Sequence, residues 1–164
     1  MVALALASIL LSLAVPSFRN LMRSNQLLAK ADALVGALSL ARSEAAKRNL
    51  QVSLCKSTDL LNCNPLGAWQ QGWIVYVDAN ADGNRDAGEV LVKKYPAFTA
   101  GYTIAASPNF QNGLAYLPTG VLFSGGIVAD GFRFCGPDQN ITQGRTILVN
   151  AVGRPRASEG VTAC

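Results

Sequence analysis

The fold is decided by the stretch "SNQLLAKADALVGALSLARSEAAKRN", residues 24–49, in which apolar side chains recur every three or four positions. This spacing places them on one stripe of an α-helix, and a neighbouring layer must cover such a stripe. The sequence therefore predicts an amphipathic helix half over residues 27–49 that packs on the rest of the chain. The stripe consists of Leu27, Ala31, Leu34, Leu38, Ala41 and Ala45.

The residues before this stretch extend the helical pattern with an apolar run, "MVALALASILLSLAVP", which contains no charged side chain. In lipid or among packed helices, a helix satisfies its backbone groups internally, and the rest of the chain is too small to cover this surface. We predict that residues 1–26 form a protruding helix half, embedded in a membrane or a filament. Pro16 predicts a kink in this half, because proline lacks a backbone N–H.

After Asn49 the pattern changes to short β-rich runs separated by Gly, Pro, Asn and Asp. No helix-length segment lies between these runs, which argues against a doubly wound parallel sheet. We predict an α+β fold in which the long helix packs on an antiparallel meander. The globular head then spans residues 27–164, with the sheet in residues 50–164. The runs are "LQVSLC", "GWIVYVD", "EVLVKKY", "GYTIAA", "GLAYL", "GFRFC" and "RTILVN".

The four cysteines are interpreted as two disulfides. The chain contains no histidine and no C-x-x-C spacing, so paired cysteines are favoured over a metal site. Four cysteines permit three pairings, and the sequence-local one, Cys55 with Cys63 and Cys135 with Cys164, is preferred. The head is therefore expected in an oxidising compartment.

Composition and charge give no support for an enzyme. There is no histidine to serve as a general base and no glycine-rich phosphate loop, and the aromatic residues near the strands are interpreted as core. The net charge of +4 is too mild to establish an anionic partner. The basic residues late in the chain nevertheless form a candidate contact surface. They are Arg133, Arg145, Arg154 and Arg156.

An acidic stretch in the middle of the chain has the spacing of a calcium-binding loop. Its oxygen-bearing side chains occupy loop positions 1, 3, 5, 7, 9 and 12, with Gly83 at the sharp-turn position. The strand-like flanks and Arg85 favour a hairpin turn instead, since Asn and Asp form such turns without metal. A calcium site, which would make the chain a calcium-regulated extracellular binding module, is the alternative. Its ligands would be Asp78, Asn80, Asp82, Asn84, Asp86 and Glu89.

The segments "AVPSF", "ARSEAAKRN" and "GWIVYVDANADGNRDAGEVL" together resemble the GspH/FimT family of minor pilins and pseudopilins. The resemblance implies the type IV pilin fold and assembly with other major and minor pilins. It also implies an inner-membrane protein with one span and its head in the periplasm, later incorporated into an extracellular pilus. N-terminal processing and methylation are implied in the same way.

The family's glycine-ended leader and the "FTLIE"-like residues that follow it have no counterpart in the sequence. The docking glutamate of the family therefore cannot be assigned to a residue. The apolar run is also slightly shorter than the about 20 residues of an independent span. A processed or truncated N-terminus is the expectation.

The segment "GRPR", residues 153–156, resembles the GRxR element that FimT-type subunits use in DNA binding during natural transformation. We predict weak, non-specific DNA contacts through phosphates at Gly153, Arg154 and Arg156, with Arg145 nearby in sequence. Two alternatives remain within the family: a tip or initiation subunit that contacts other minor pilins, and a GspH-like pseudopilin of type II secretion.

Overall fold

The computed structural model describes the backbone of residues 2–123, 130–150 and 152–164. Side chains are described from residue 18 onward within these ranges, except those of residues 19 and 130. The predicted kink at Pro16 depends on a side chain outside the described ones and stays a prediction. Helix α1, Val2–Arg48, includes Pro16 within its bounds.

Helix α1 has 47 residues, which corresponds to a length of about 70 Å. Its last turn carries Lys47 and Arg48, whose positive charges suit the negative end of the helix dipole. The helix ends at Asn49, which has a φ of 54° and so turns the chain away in the left-handed conformation. The predicted stripe is buried, with Leu27 at its N-terminal end and Ala45 at the other.

Within the residues whose side chains the structure describes, no helix has both the length and the apolar character to cross a membrane.

The rest of the chain forms two four-stranded antiparallel sheets, where the sequence predicts a single meander. The strands of sheet A are β1 Val52–Lys56, β2 Gly72–Val77, β3 Leu91–Pro96 and β5 Gly113–Tyr116. Those of sheet B are β4 Thr103–Ala106, β6 Asp130–Cys135, β7 Arg145–Val149 and β8 Pro155–Glu159. Sheet A has the order β3-β2-β1-β5, and sheet B has the order β4-β6-β7-β8. The meander interpretation holds within β1 to β3 and within β6 to β8, but β5 pairs with β1 and β4 pairs with β6.

The main core lies between the stripe of α1 and the two sheets. Trp69 and Trp73 belong to it, as predicted, and the indole N–H of Trp69 donates to the carbonyl of Phe110 at 3.1 Å. Tyr76 lies in a second cluster, where it packs with Cys55 and Ile74. Fully burying one large apolar side chain contributes about 1.5–3 kcal/mol, so the stripe anchors the helix firmly.

Both disulfides have the sequence-local pairing. Cys55–Cys63 closes the loop after β1 and belongs to the second cluster. Cys135–Cys164 ties the last residue of the sequence to the end of β6. Each bond restricts the unfolded chain and so stabilises the fold, typically by about 2–4 kcal/mol.

Candidate nucleic-acid interface

The predicted GRPR segment forms the turn between β7 and β8 and the start of β8. Asn150 closes this turn: its amide donates to the carbonyl of Arg154 at 3.1 Å, and its carbonyl accepts from the amide of Gly153 at 2.8 Å. The side-chain oxygen of Asn150 also accepts from the amide of Arg154 at 2.8 Å. The backbone that carries the arginines is therefore held in one conformation.

Gly153 is buried under this turn, and its predicted role as a DNA-contact residue stays a prediction. Its φ is 76°, and a Cβ atom there would lie 2.6 Å from the carbonyl oxygen of Gly120 and 2.8 Å from the Tyr116 ring. The Tyr116 hydroxyl donates to the Gly153 carbonyl at 3.1 Å. Burial raises the pKa of Tyr116, so this hydroxyl stays a donor at neutral pH. The close approach that glycine permits is thus made inside the protein.

Arg154 and Arg156 are both exposed and flank the half-buried Pro155. Arg156 pairs with Leu148 of β7, whose side chain is exposed, so both side chains lie on the outer face of sheet B. Among the residues the structure describes, neither arginine takes part in an ion pair. Two uncompensated guanidinium groups are therefore available at this turn.

Arg145 lies on the inner face of sheet B, opposite to Arg156, and its predicted contact with DNA stays a prediction. Its exposed fraction is 7%. Nη2 lies 3.2 Å from Oε1 of Glu159 and 3.4 Å from Oγ of Ser24, and Nη1 donates to the carbonyl of Gly144 at 3.2 Å. Alternate residues of a strand face opposite sides of the sheet, so closeness in sequence did not predict which side this guanidinium faces. The remaining late arginine, Arg133, is half-buried in β6 and donates to Thr162.

The acidic stretch connects β2 to β3, so its flanks are strands, as predicted. The amide of Val77 donates to the carbonyl of Val90 at 2.9 Å, which closes the connection. Asp78 is 0% exposed, and its Oδ2 accepts from Ser53 Oγ at 2.7 Å, Gln51 Nε2 at 3.0 Å and the Gly83 amide at 3.1 Å. Sequence reasoning missed Gln51 and Ser53; two polar residues in the apolar strand segment "LQVSLC" were the available signal.

The other acidic and amide side chains of this loop bond mainly to one another and to the loop backbone. Asp82 accepts from the amide of Asn84 at 2.7 Å, and Asn80 donates to Asp86 at 2.9 Å. Glu89 accepts from the amides of Ala79 and Asp86. In the described part of the chain, no group of three or more Asp, Glu, Cys or His side chains is arranged to hold a metal ion.

A long N-terminal helix packed across antiparallel sheets, with a disulfide-tied C-terminus, is the architecture of a pilin-like subunit. The chain belongs to the GspH family: the family model described as type II transport protein GspH matches residues 30–153. A search of curated proteins finds no match.

Two kinds of solved pilin-like structure share the fold. The type IV minor pilin FimU of Pseudomonas aeruginosa PAO1 is 22% identical with a TM-score of 0.67, over 85% of this chain and 96% of that one. The minor pseudopilin EpsH from the type II secretion system of Vibrio cholerae is 12% identical with a TM-score of 0.52, over 82% of this chain and 97% of that one. At these identities the likeness concerns the fold.

Proposed function

We propose that this chain is a minor pilin of a type IV pilus and that Arg154 and Arg156 contact DNA. One observation carries the DNA-binding part of this proposal. Both guanidinium groups are exposed and, among the described residues, form no ion pair. The turn that holds them is bonded by Asn150 and Tyr116. A guanidinium group binds phosphate oxygens through two parallel hydrogen bonds, and a rigid turn reduces the entropy lost on binding. Such contacts are independent of base sequence.

The assembly role depends on residues 1–26, the protruding half of the helix. Phe18, Leu21 and Met22 are exposed, whereas the buried stripe begins at Leu27. We infer that residues 1–26 lie in the inner membrane before assembly and pack among the helices of other major and minor pilins in the filament. The two disulfides suit a head in the periplasm and later outside the cell.

The DNA-binding proposal is tested with the full chain in detergent and a fluorescent DNA duplex. Replacing both Arg154 and Arg156 by Gln is expected to weaken affinity at least about tenfold at low salt and to lower the salt dependence by about two released counterions. The matched control is Lys93→Gln together with Lys94→Gln, which removes two exposed positive charges from β3. Equal affinities of the wild type and the arginine variant would refute DNA binding through this turn.

A second candidate is a minor pseudopilin of a type II secretion system. It is supported by the family description and by the fold shared with EpsH. The chain should then copurify, after cross-linking in its own cells, with pseudopilins and not with pilus subunits. Copurification with pilus subunits would support the first proposal instead.

A further inference from the structure

A groove of about 410 Å3 lies between α1 and the start of β8. Its helix side includes Ser39, Arg42 and Ser43, and its opposite side includes Thr119 and Pro155. Pro155 pairs with the buried Val149, so it faces the inner side of sheet B, whereas Arg156 lies on the outer side. Because β8 is the edge strand of sheet B, the groove and Arg156 lie on the two sides of this one strand.

Arg42 is the one charged side chain among the described residues that line this groove. Its Nε donates to the carbonyl of Gly120 at 2.8 Å, which fixes the plane of the guanidinium group. Among the described residues, this is the bond that the structure shows for Arg42. The nearby carboxylate of Glu44 does not pair with Arg42, because it is bound by Arg48 at 2.6 Å and Lys47 at 3.8 Å. The terminal nitrogens of Arg42 therefore remain as donors for an added ligand.

The position of Arg42 is coupled to that of the GRPR turn through Gly120. A methyl group on Gly120 would approach Arg42 Nε to 3.1 Å, and one on Gly153 would approach the Gly120 oxygen to 2.6 Å. Burial raises the pKa of Tyr116 under the same turn, and the nearby charge of Arg42 partly opposes this rise. The three segments consequently form one packed unit.

The chemistry of the groove suits an anion with several oxygen atoms. One oriented guanidinium group and the hydroxyls of Ser39 and Thr119 are capable of donating to phosphate oxygens, whereas the Ser43 hydroxyl already donates to the carbonyl of Leu40 at 2.9 Å. The lining residues that the structure describes include no carboxylate that would repel such a ligand. A DNA strand that crosses the edge strand β8 could contact this groove on one side of the strand and Arg154 and Arg156 at its other side.

We propose that this groove is a second phosphate subsite, in which Arg42 binds the DNA backbone next to the phosphates bound by Arg154 and Arg156. The inference rests on the proposed DNA-binding function and extends it to a residue of α1. A bound strand then runs from the β7–β8 turn across the helix. Binding to DNA is tied in this way to the element that joins the subunit to its neighbours.

The test measures DNA affinity of the full chain in detergent for variants that each change the net charge by one unit. Arg42→Gln removes the cation, and Ser39→Asp places a carboxylate three residues before Arg42 on the helix, where it neutralises the guanidinium charge. Each should weaken binding about three- to tenfold and reduce the salt dependence. Asn25→Asp, exposed elsewhere on α1, and Lys94→Gln, exposed on β3, are the matched controls and should change affinity less than about twofold.

The outcomes separate the groove from the GRPR turn. If Ser39→Asp and a folded Arg42→Gln both match their controls while the Arg154 and Arg156 variant binds weakly, the groove inference fails and the proposed function stands. If no variant changes DNA affinity, both fail. Vesicles with phosphatidylglycerol provide a last comparison: Arg42-dependent binding to these vesicles without Arg42-dependent DNA binding would overturn DNA as the occupant.

Discussion

The guanidinium group of Arg145 in β7 lies 3.4 Å from the hydroxyl of Ser24 in α1. It also pairs with Glu159 of β8 at 3.2 Å. One buried cation therefore joins the adjacent strands β7 and β8 of sheet B to α1, three residues before the buried stripe begins at Leu27. Arg23 adds a weaker tie of the same kind to Asp138 at 3.7 Å.

Replacing Arg145 by Ala is expected to lower the free energy of unfolding by about 2–4 kcal/mol, because buried hydrogen-bond partners lose their donor. Glu159→Gln should cost less than about 1 kcal/mol, since the Glu159 side chain is 83% exposed. Urea unfolding followed by near-ultraviolet circular dichroism measures both values. A folded Arg145→Gln that weakens DNA binding as much as the Arg154 and Arg156 variant would show that Arg145 contacts DNA after all.

Replacing Gly153 by Ala is expected to destabilise the chain by about 2 kcal/mol or more. The new Cβ atom meets the backbone oxygen of Gly120, and the φ of 76° disfavours a side chain. Gly36→Ala is the matched control: nothing lies within 4 Å of a Cβ atom there, so this change in a helix interior should stabilise by about 0.5–1 kcal/mol. Thermal unfolding of both variants decides, and equal melting temperatures would contradict this account of Gly153.

The helix stripe and most of the strands could be predicted from the sequence. The helical stripe was predictable because a period of 3.6 residues records which face is covered, and seven strand segments were predictable from β-rich runs. The strand β8, "PRASE", was missed, since its residues have little β propensity and its pairing with β7 makes it a strand.

The arrangement of the site depends on contacts between residues far apart in sequence. Gly153 meets Tyr116 and Gly120, more than thirty positions earlier. The side chain of Arg145 lies on the buried face of β7, although a charged residue is typically found at the surface. The GRPR pattern therefore pointed to two arginines of one turn, but the burial of the neighbouring Arg145 could not be read from it.

Asp78 is expected to be the structural centre of the acidic loop, and calcium is expected to leave stability unchanged. Asp78→Ala leaves three donors without their acceptor in a buried place and should cost about 3 kcal/mol or more. Asp82→Ala, on the exposed part of the loop, should cost less than about 1 kcal/mol. A melting temperature that rises with added calcium in the wild type, and not in Asp82→Ala, would establish the calcium-binding alternative.

The loop between β1 and β2 is expected to loosen at low pH through Asp59. Hydrogen bonds from the amides of Asn62 and Leu61, and from the Asn62 side chain, lower the pKa of Asp59 from its ordinary value of 3.8. The folded state therefore gains stability above pH 3.8 from this group and loses it progressively as pH falls toward the lowered pKa. The protection factors of the Leu61 and Asn62 amides, which correct the exchange rates for the intrinsic effect of pH, should fall in that window, and Asp59→Asn should remove the response. A titration of Asp59 itself centred at its ordinary pKa would contradict the prediction.

The different exposure of two apolar residues of α1 predicts opposite effects for their substitution. Phe18 is 64% exposed in the isolated chain, so Phe18→Ser should change head stability by less than about 0.5 kcal/mol. Leu34 is 0% exposed, and Leu34→Ala should cost about 2–5 kcal/mol because it leaves a cavity beneath the sheets.

Cross-linking of membrane-extracted protein to partner pilins should show the reverse order, with Phe18→Ser losing its partners and folded Leu34→Ala keeping them. If Phe18→Ser instead destabilises the isolated head as much as Leu34→Ala, the exposed half packs against its own head and is not the surface that other subunits cover.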